Sequence, residues 1–135
     1  MLPPIILSIA GSDCSGGAGI QADIKTISAL GGYAASVITA VTAQNTLGVQ
    51  SVYPIPADMV KAQITSVMDD LRPDAVKIGM VHDAGIVTTI VDCLQTYTPE
   101  CIVYDPVMIS TSGRRLMTEE TIQAVSYTHL RAHET

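Results

Sequence analysis

The sequence predicts an α/β fold, a three-layer α/β/α sandwich whose mainly parallel sheet carries helices on both faces. Three observations predict it. Short apolar runs alternate with stretches of helical periodicity. The runs are continuously apolar, as in strands buried on both faces, rather than alternating. Residues able to do chemistry gather just after the runs, at the strand ends where open α/β sheets bind ligands.

The first run, Ile5 to Ala10, feeds directly into Gly11-Ser12-Asp13-Cys14-Ser15-Gly16-Gly17-Ala18-Gly19. A helical pattern follows over Ala18 to Leu30, where Ile20, Ile24 and Ile27 share one face and Gly31-Gly32 supplies the stop. The second run, Ala35 to Val41, ends in Thr42-Ala43-Gln44-Asn45, and a weaker run occupies Val49 to Tyr53. From Ala57 to Leu71, Val60, Ile64, Val67, Met68 and Leu71 recur at i, i+4, i+7, i+8 and i+11 before Pro73 ends the pattern. Ala75 to Ile78 closes on Gly79-Met80. A third helix is expected from Asp83, an N-cap by residue type, to Tyr97, with Ile86, Ile90 and Leu94 as its stripe. The last run, Ile102 to Tyr104, ends in Asp105-Pro106-Val107-Met108, and Thr118 with Glu119 and Glu120 opens one more helix.

At 135 residues, 47% hydrophobic and 15% charged, the chain fits a single soluble domain. Its 7 basic against 13 acidic residues give a net charge of -6, which argues against a nucleic-acid backbone as partner. No uncharged apolar stretch reaches about eighteen residues, and Met1-Leu2-Pro3-Pro4 lacks the basic start of a signal peptide, so a cytoplasmic protein without a membrane partner is expected. Cys14, Cys93 and Cys101 form no CxxC pair, which indicates neither a disulfide framework nor a zinc site. Cys14, in the glycine loop, is the one placed to be an accessible thiol.

The loop from Gly11 to Gly19 has four glycines in nine residues. Such a backbone can approach a ligand closely with its N–H groups exposed, and the helix start adds partial positive charge. It is not a Walker A loop, because Ile20 and Gln21 stand where Lys and Ser/Thr would be needed. Gly17-Ala18-Gly19-Ile20-Gln21-Ala22 matches a relaxed dinucleotide fingerprint, but no carboxylate appears from Thr39 to Ala43, which weakens a nicotinamide or flavin reading. A turn that merely packs helix against strand is the bland alternative.

Gln44 offers a coplanar donor and acceptor, the complement of an aminopyrimidine edge; taken alone, Gln44 and Asn45 read first as a polar turn that satisfies backbone groups. Asp23 falls beside the apolar stripe of its helix rather than opposite it, a direction that suits a pocket, or a helix dipole. Met80 could lie against a flat ring or belong to the core. Asp105 could orient a cation serving phosphates, or simply start an Asp-Pro turn. Ser110 to Arg115 adds hydroxyls and two guanidinium groups suited to phosphate or to solvent.

Taken together, AGSDCSGGAGIQADIKT, AVTAQNT, KIGMV and DPVM, in this order and spacing, resemble the hydroxymethylpyrimidine/phosphomethylpyrimidine kinases of thiamine biosynthesis, within the ribokinase-like superfamily. The resemblance covers about Ile5 to Val125. It implies ATP-dependent phosphorylation, with Mg2+, of 4-amino-5-hydroxymethyl-2-methylpyrimidine and then of its monophosphate, and a homo-oligomeric full-length protein. It further implies that Gln44 reads the aminopyrimidine edge, that the Ala18 region gives backbone contact, that Gly11 and Asp23 line the pocket, that Met80 and Val107 enclose the ring, and that Asp105 lies toward the phosphate and magnesium end. Pyridoxine-type vitamins are plausible side substrates.

The chain departs from the family in two respects. Family members continue for about as many residues again, and that second half carries the anion hole and catalytic base, so residues 1–125 are expected to be the N-terminal part of a kinase domain, inactive alone. Residues 126–135, Ser126 to Thr135, break the helical pattern and read as an extraneous tail; His129 and His133, spaced i, i+4, could otherwise suggest a metal. The alternatives are a non-catalytic pyrimidine-binding or regulatory module and, more remotely, a dinucleotide-binding oxidoreductase fragment.

Overall fold

The computed structural model describes residues 2–81 and 84–105. In chain order the elements are β1 (Ile5–Asp13), α1 (Gly19–Ala29), β2 (Tyr33–Asn45), β3 (Gly48–Pro54), α2 (Ala57–Asp70), β4 (Ala75–Ile78), α3 (Ala84–Tyr97) and β5 (Cys101–Tyr104). They form one five-stranded sheet in the order β3-β2-β1-β4-β5. β1 pairs in parallel with β2 and β4, β4 with β5, and only β3 runs antiparallel, against β2. The α/β sandwich with a mainly parallel sheet is therefore present.

The strand order places β1 at the centre. The β1–α1–β2 crossover moves toward one edge and β4–α3–β5 toward the other, and right-handed crossovers in opposite directions put their helices on opposite faces. α2 packs against α3. The core between that pair and the sheet holds Leu7, Ile9, Val37, Val60, Ile64, Met68, Val76, Ile86, Ile90 and Leu94. Alternation along β1 sends Leu7 and Ile9 there, while the intervening Ser8 and Ala10 turn toward α1. Ala10, on that second face, lines a cavity.

The stripes expected for α2 and α3 are the buried ones: Val60, Ile64 and Met68 in the first, Ile86, Ile90 and Leu94 in the second. α1 differs, since only Ile20 is buried and Ile24 is 37% exposed. A lone helix on its face has no neighbouring helix among the described elements to cover the far side of its stripe.

Two strands outrun their apolar runs. β1 continues through Asp13, and β2 continues through Asn45 because its antiparallel ladder to β3 carries on, with Gln44 opposite Val49 and Asn45 opposite Gly48. Gln44 thus stands at a strand end in a hairpin rather than in a turn. Asp83, Val107, the Ser110 to Arg115 loop, the Thr118 helix, His129, His133 and the 126–135 tail lie outside the described residues. Among the described residues, no helix is long and apolar enough to cross a membrane.

Candidate active site

A cavity of about 350 Å3 opens at the carboxyl ends of β1, β2 and β4, beside the start of α1. Six of the seven residues singled out in the sequence line it: Gly11, Ala18, Asp23, Gln44, Met80 and Asp105. The seventh, Val107, lies outside the described residues. A larger groove, about 440 Å3, lies near Arg72, Asp74, Thr98 and Glu100, at the opposite ends of the strands. Ligands of open α/β sheets bind at the carboxyl end, which favours the smaller cavity.

Gln44 is held twice. Its backbone N–H reaches Cys14 Sγ at 3.3 Å, and the Cys14 thiol donates to the Gln44 carbonyl at 3.1 Å. Its side-chain Oε1 stands 2.8 Å from Thr42 Oγ1, which is also 2.7 Å from the Ser12 carbonyl. A single hydroxyl proton serves one acceptor at a time, and an amide turned end over end donates to the same oxygen through Nε2. The tether therefore fixes where the amide sits and lets it present donor and acceptor in either order.

Met80 forms the apolar wall. It is buried in a small cluster with Ala40, against which Val49 and Val52 pack, and its carbonyl accepts from the Thr39 hydroxyl at 2.7 Å. Its terminal methyl lies directly over Gly11, in the space that a Cβ there would take. Gly19 has φ +58, and a Cβ on it would meet the Gly11 carbonyl oxygen, so helix and strand approach through bare backbone.

The glycine loop closes on itself. Asp13 Oδ1 accepts from the Ser15 N–H and hydroxyl, and Oδ2 from the N–H groups of Gly17 and Ala18, at 2.7 to 3.0 Å. Gln21, from α1, accepts from the Asp13 N–H and donates to Ser12 Oγ, both at 2.8 Å. Burial raises the Asp13 pKa, but the hydrogen bonds from Ser15, Ala18 and Gly17 outweigh it and hold the carboxyl below its ordinary value.

Asp23 also faces inward and is engaged, by the ammonium of Lys77, which lines the same cavity, and by the Ser8 hydroxyl. Asp13, Thr42 and Lys77 are among the lining residues that sequence reasoning missed. Lys77 left a signal, as the one charged residue inside the apolar run Ala75-Val76-Lys77-Ile78. Asp13 and Thr42 left none, because an Asp in a glycine loop and a Thr in a strand are ordinary.

Asp105 is exposed at the cavity, its backbone N–H bonded to the Ile78 carbonyl at 2.9 Å. Among the described residues, no group of three or more His, Cys, Asp or Glu side chains gathers that could hold a metal. Magnesium serving phosphates keeps most of its waters and takes one or two carboxylates, a role that Asp105 fits.

A family model for phosphomethylpyrimidine kinase matches residues 13–133. The hydroxymethylpyrimidine/phosphomethylpyrimidine kinase of Escherichia coli is 53% identical over 116 residues, which cover 86% of this chain and 44% of that protein. A crystal structure of phosphomethylpyrimidine kinase from Clostridium difficile superposes with TM-score 0.85 at 52% identity, over 90% of this chain and 53% of that one. Pyridoxal kinase of Staphylococcus aureus bound to pyridoxal superposes with TM-score 0.85 at 28% identity, over 98% and 47%; the same kinase bound to AMP-PCP does so with TM-score 0.73 at 32% identity, over 82% and 41%. The chain spans less than half the length of the Escherichia coli relative. With a family model that matches most of its length and relatives about half identical to it, the chain belongs to the phosphomethylpyrimidine kinase family.

Proposed function

We propose that this chain provides the substrate pocket of an ATP-dependent cytoplasmic kinase that phosphorylates 4-amino-5-hydroxymethyl-2-methylpyrimidine and its monophosphate in thiamine biosynthesis. The observation that carries the reading is the tethered Gln44 amide facing the same cavity as the Met80 wall over Gly11. An amide supplies the donor and acceptor that an aminopyrimidine edge requires, and a thioether adapts to a flat ring. The AMP-PCP complex of the related pyridoxal kinase supports a nucleoside triphosphate as phosphoryl donor. Asp105 would hold magnesium, which neutralises phosphate charge when bound.

A second reading, a pyrimidine-binding module without turnover, is favoured by one observation. Of the carboxylates lining the cavity, Asp13 and Asp23 are already engaged within the protein, which leaves only Asp105 open as a base. Calorimetry with the pyrimidine alcohol, together with a turnover assay with ATP and magnesium, tests both. Binding that is lost in Gln44→Ala supports the pocket; turnover supports the kinase, and binding without turnover supports a module or the substrate-binding part of a kinase. Absence of binding to the wild-type chain would sink both, and preference for pyridoxal would reassign the substrate.

A further inference from the structure

We propose that Asp13 is the positioning residue of the ligand cavity: its carboxylate is a built-in anion that fills the ring of donors offered by the glycine loop and so fixes the Ala18 wall. The proposal rests on the reading of this cavity as the pyrimidine site.

Four donors converge on one side chain. The Ser15 N–H and hydroxyl reach Oδ1 at 2.8 and 2.7 Å, and the Gly17 and Ala18 N–H groups reach Oδ2 at 3.0 and 2.8 Å. Asp13 is only 4% exposed, so these bonds stand in place of water. The residue's main chain is fixed as well, its N–H donating to Gln21 Oε1 and its carbonyl accepting from the Gly16 N–H at 3.0 Å. The nearby ammonium of Lys25 binds the Gly16 carbonyl at 2.9 Å, tying the loop from outside.

A glycine-rich loop before a helix ordinarily offers its N–H groups to a phosphate. Here the Ser15, Gly17 and Ala18 N–H groups are occupied by a carboxylate from the same loop. A ligand meets these residues as a shaped wall, and an anionic substituent on it must point elsewhere in the cavity. Removal of the carboxylate would orphan four donors and leave a gap that a small carboxylate anion could fill.

The test compares wild type, Asp13→Ala and Asp13→Asn in calorimetry with the pyrimidine alcohol and in thermal unfolding. Each is measured in sodium formate and in sodium chloride at equal ionic strength. Asp13→Ala is expected to bind roughly tenfold more weakly or worse. Formate, and not chloride, should raise both its affinity and its melting temperature, while wild type responds to the two salts alike. Asp13→Asn should fall between them, because an amide accepts at one end and opposes an N–H at the other.

Wild-type affinity in either variant, or equal responses of Asp13→Ala to formate and chloride, would overturn the proposal. If wild type does not bind the pyrimidine, the site reading fails separately and the formate-specific change in melting temperature still decides the role of Asp13. If Asp13→Ala does not fold, its refolding yield decides instead: a higher yield in formate than in chloride supports the role, and equal yields overturn it.

Discussion

Lys77 Nζ donates to both carboxylate oxygens of Asp23, at 3.0 and 2.9 Å, across the face of the sheet that carries the cavity. The Ser8 hydroxyl adds a 2.6 Å bond to the same carboxylate. Asp23 therefore stands at the cavity as one half of an ion pair rather than as a free carboxylate.

The side chains of Lys77 and Asp23 are 22% and 18% exposed, between the surface pairs that contribute little and the buried pairs that are costly to break. Lys77→Met should destabilise the fold by about 2 kcal/mol, discounted for that exposure. Adding Asp23→Asn should recover part of the loss. Urea unfolding of the single and double variants measures this, and two additive penalties would refute the coupling.

Gly19→Ala and Gly11→Ala should part company. The first puts a Cβ at φ +58 and against the Gly11 carbonyl oxygen, where neither backbone yields, and should cost roughly 2 kcal/mol or more. The second meets chiefly the terminal methyl of Met80, a flexible group that can swing toward the cavity. Gly11→Ala should therefore keep its stability within about 1 kcal/mol and lose affinity for the pyrimidine. Denaturation and calorimetry on both variants check the contrast; similar stability losses would contradict it.

Acid should weaken the fold through Asp13. Its folded carboxyl titrates below its ordinary value, so in acid the unfolded chain takes up the proton first and stability rises with pH through that window. The contribution is complete above the ordinary carboxylate value and disappears as pH falls through the depressed one. Asp13→Asn should flatten this part of the stability profile, measured by denaturation across acid pH, and an unchanged slope would count against it.

Alkali should act through Tyr104. Burial, and then the Asp105 carboxylate beside it, push its phenol up to about 12. The folded state keeps a proton that the unfolded state releases near 10, so the contribution is complete below 10 and lost as pH rises to about 12. Ultraviolet titration of phenolate should show a late phase that is missing in Tyr104→Phe.

Residue order alone is most informative where one physical cause dominates. Val60, Ile64 and Met68, or Ile86, Ile90 and Leu94, must face a core, so periodicity finds them. The strand-end rule likewise gathers Gln44, Met80 and Asp105 at one edge, where they do line one cavity. What stays hidden depends on partners far along the chain. The Lys77–Asp23 bond spans 54 positions, and Thr42 reaches back 30 positions to Ser12. Asp13 is hidden for the opposite reason, since its carboxylate's partners lie within five residues and a local loop bond leaves no period.

The central place of β1 bears on how the protein is made. β1 pairs with β2 and with β4, and every described cavity residue except Asp105 lies at or before Met80. During synthesis, all of that described lining but Asp105 has been made once Met80 has cleared the ribosome. A ligand captured then would favour the nascent sheet over the unfolded chain and so aid its folding.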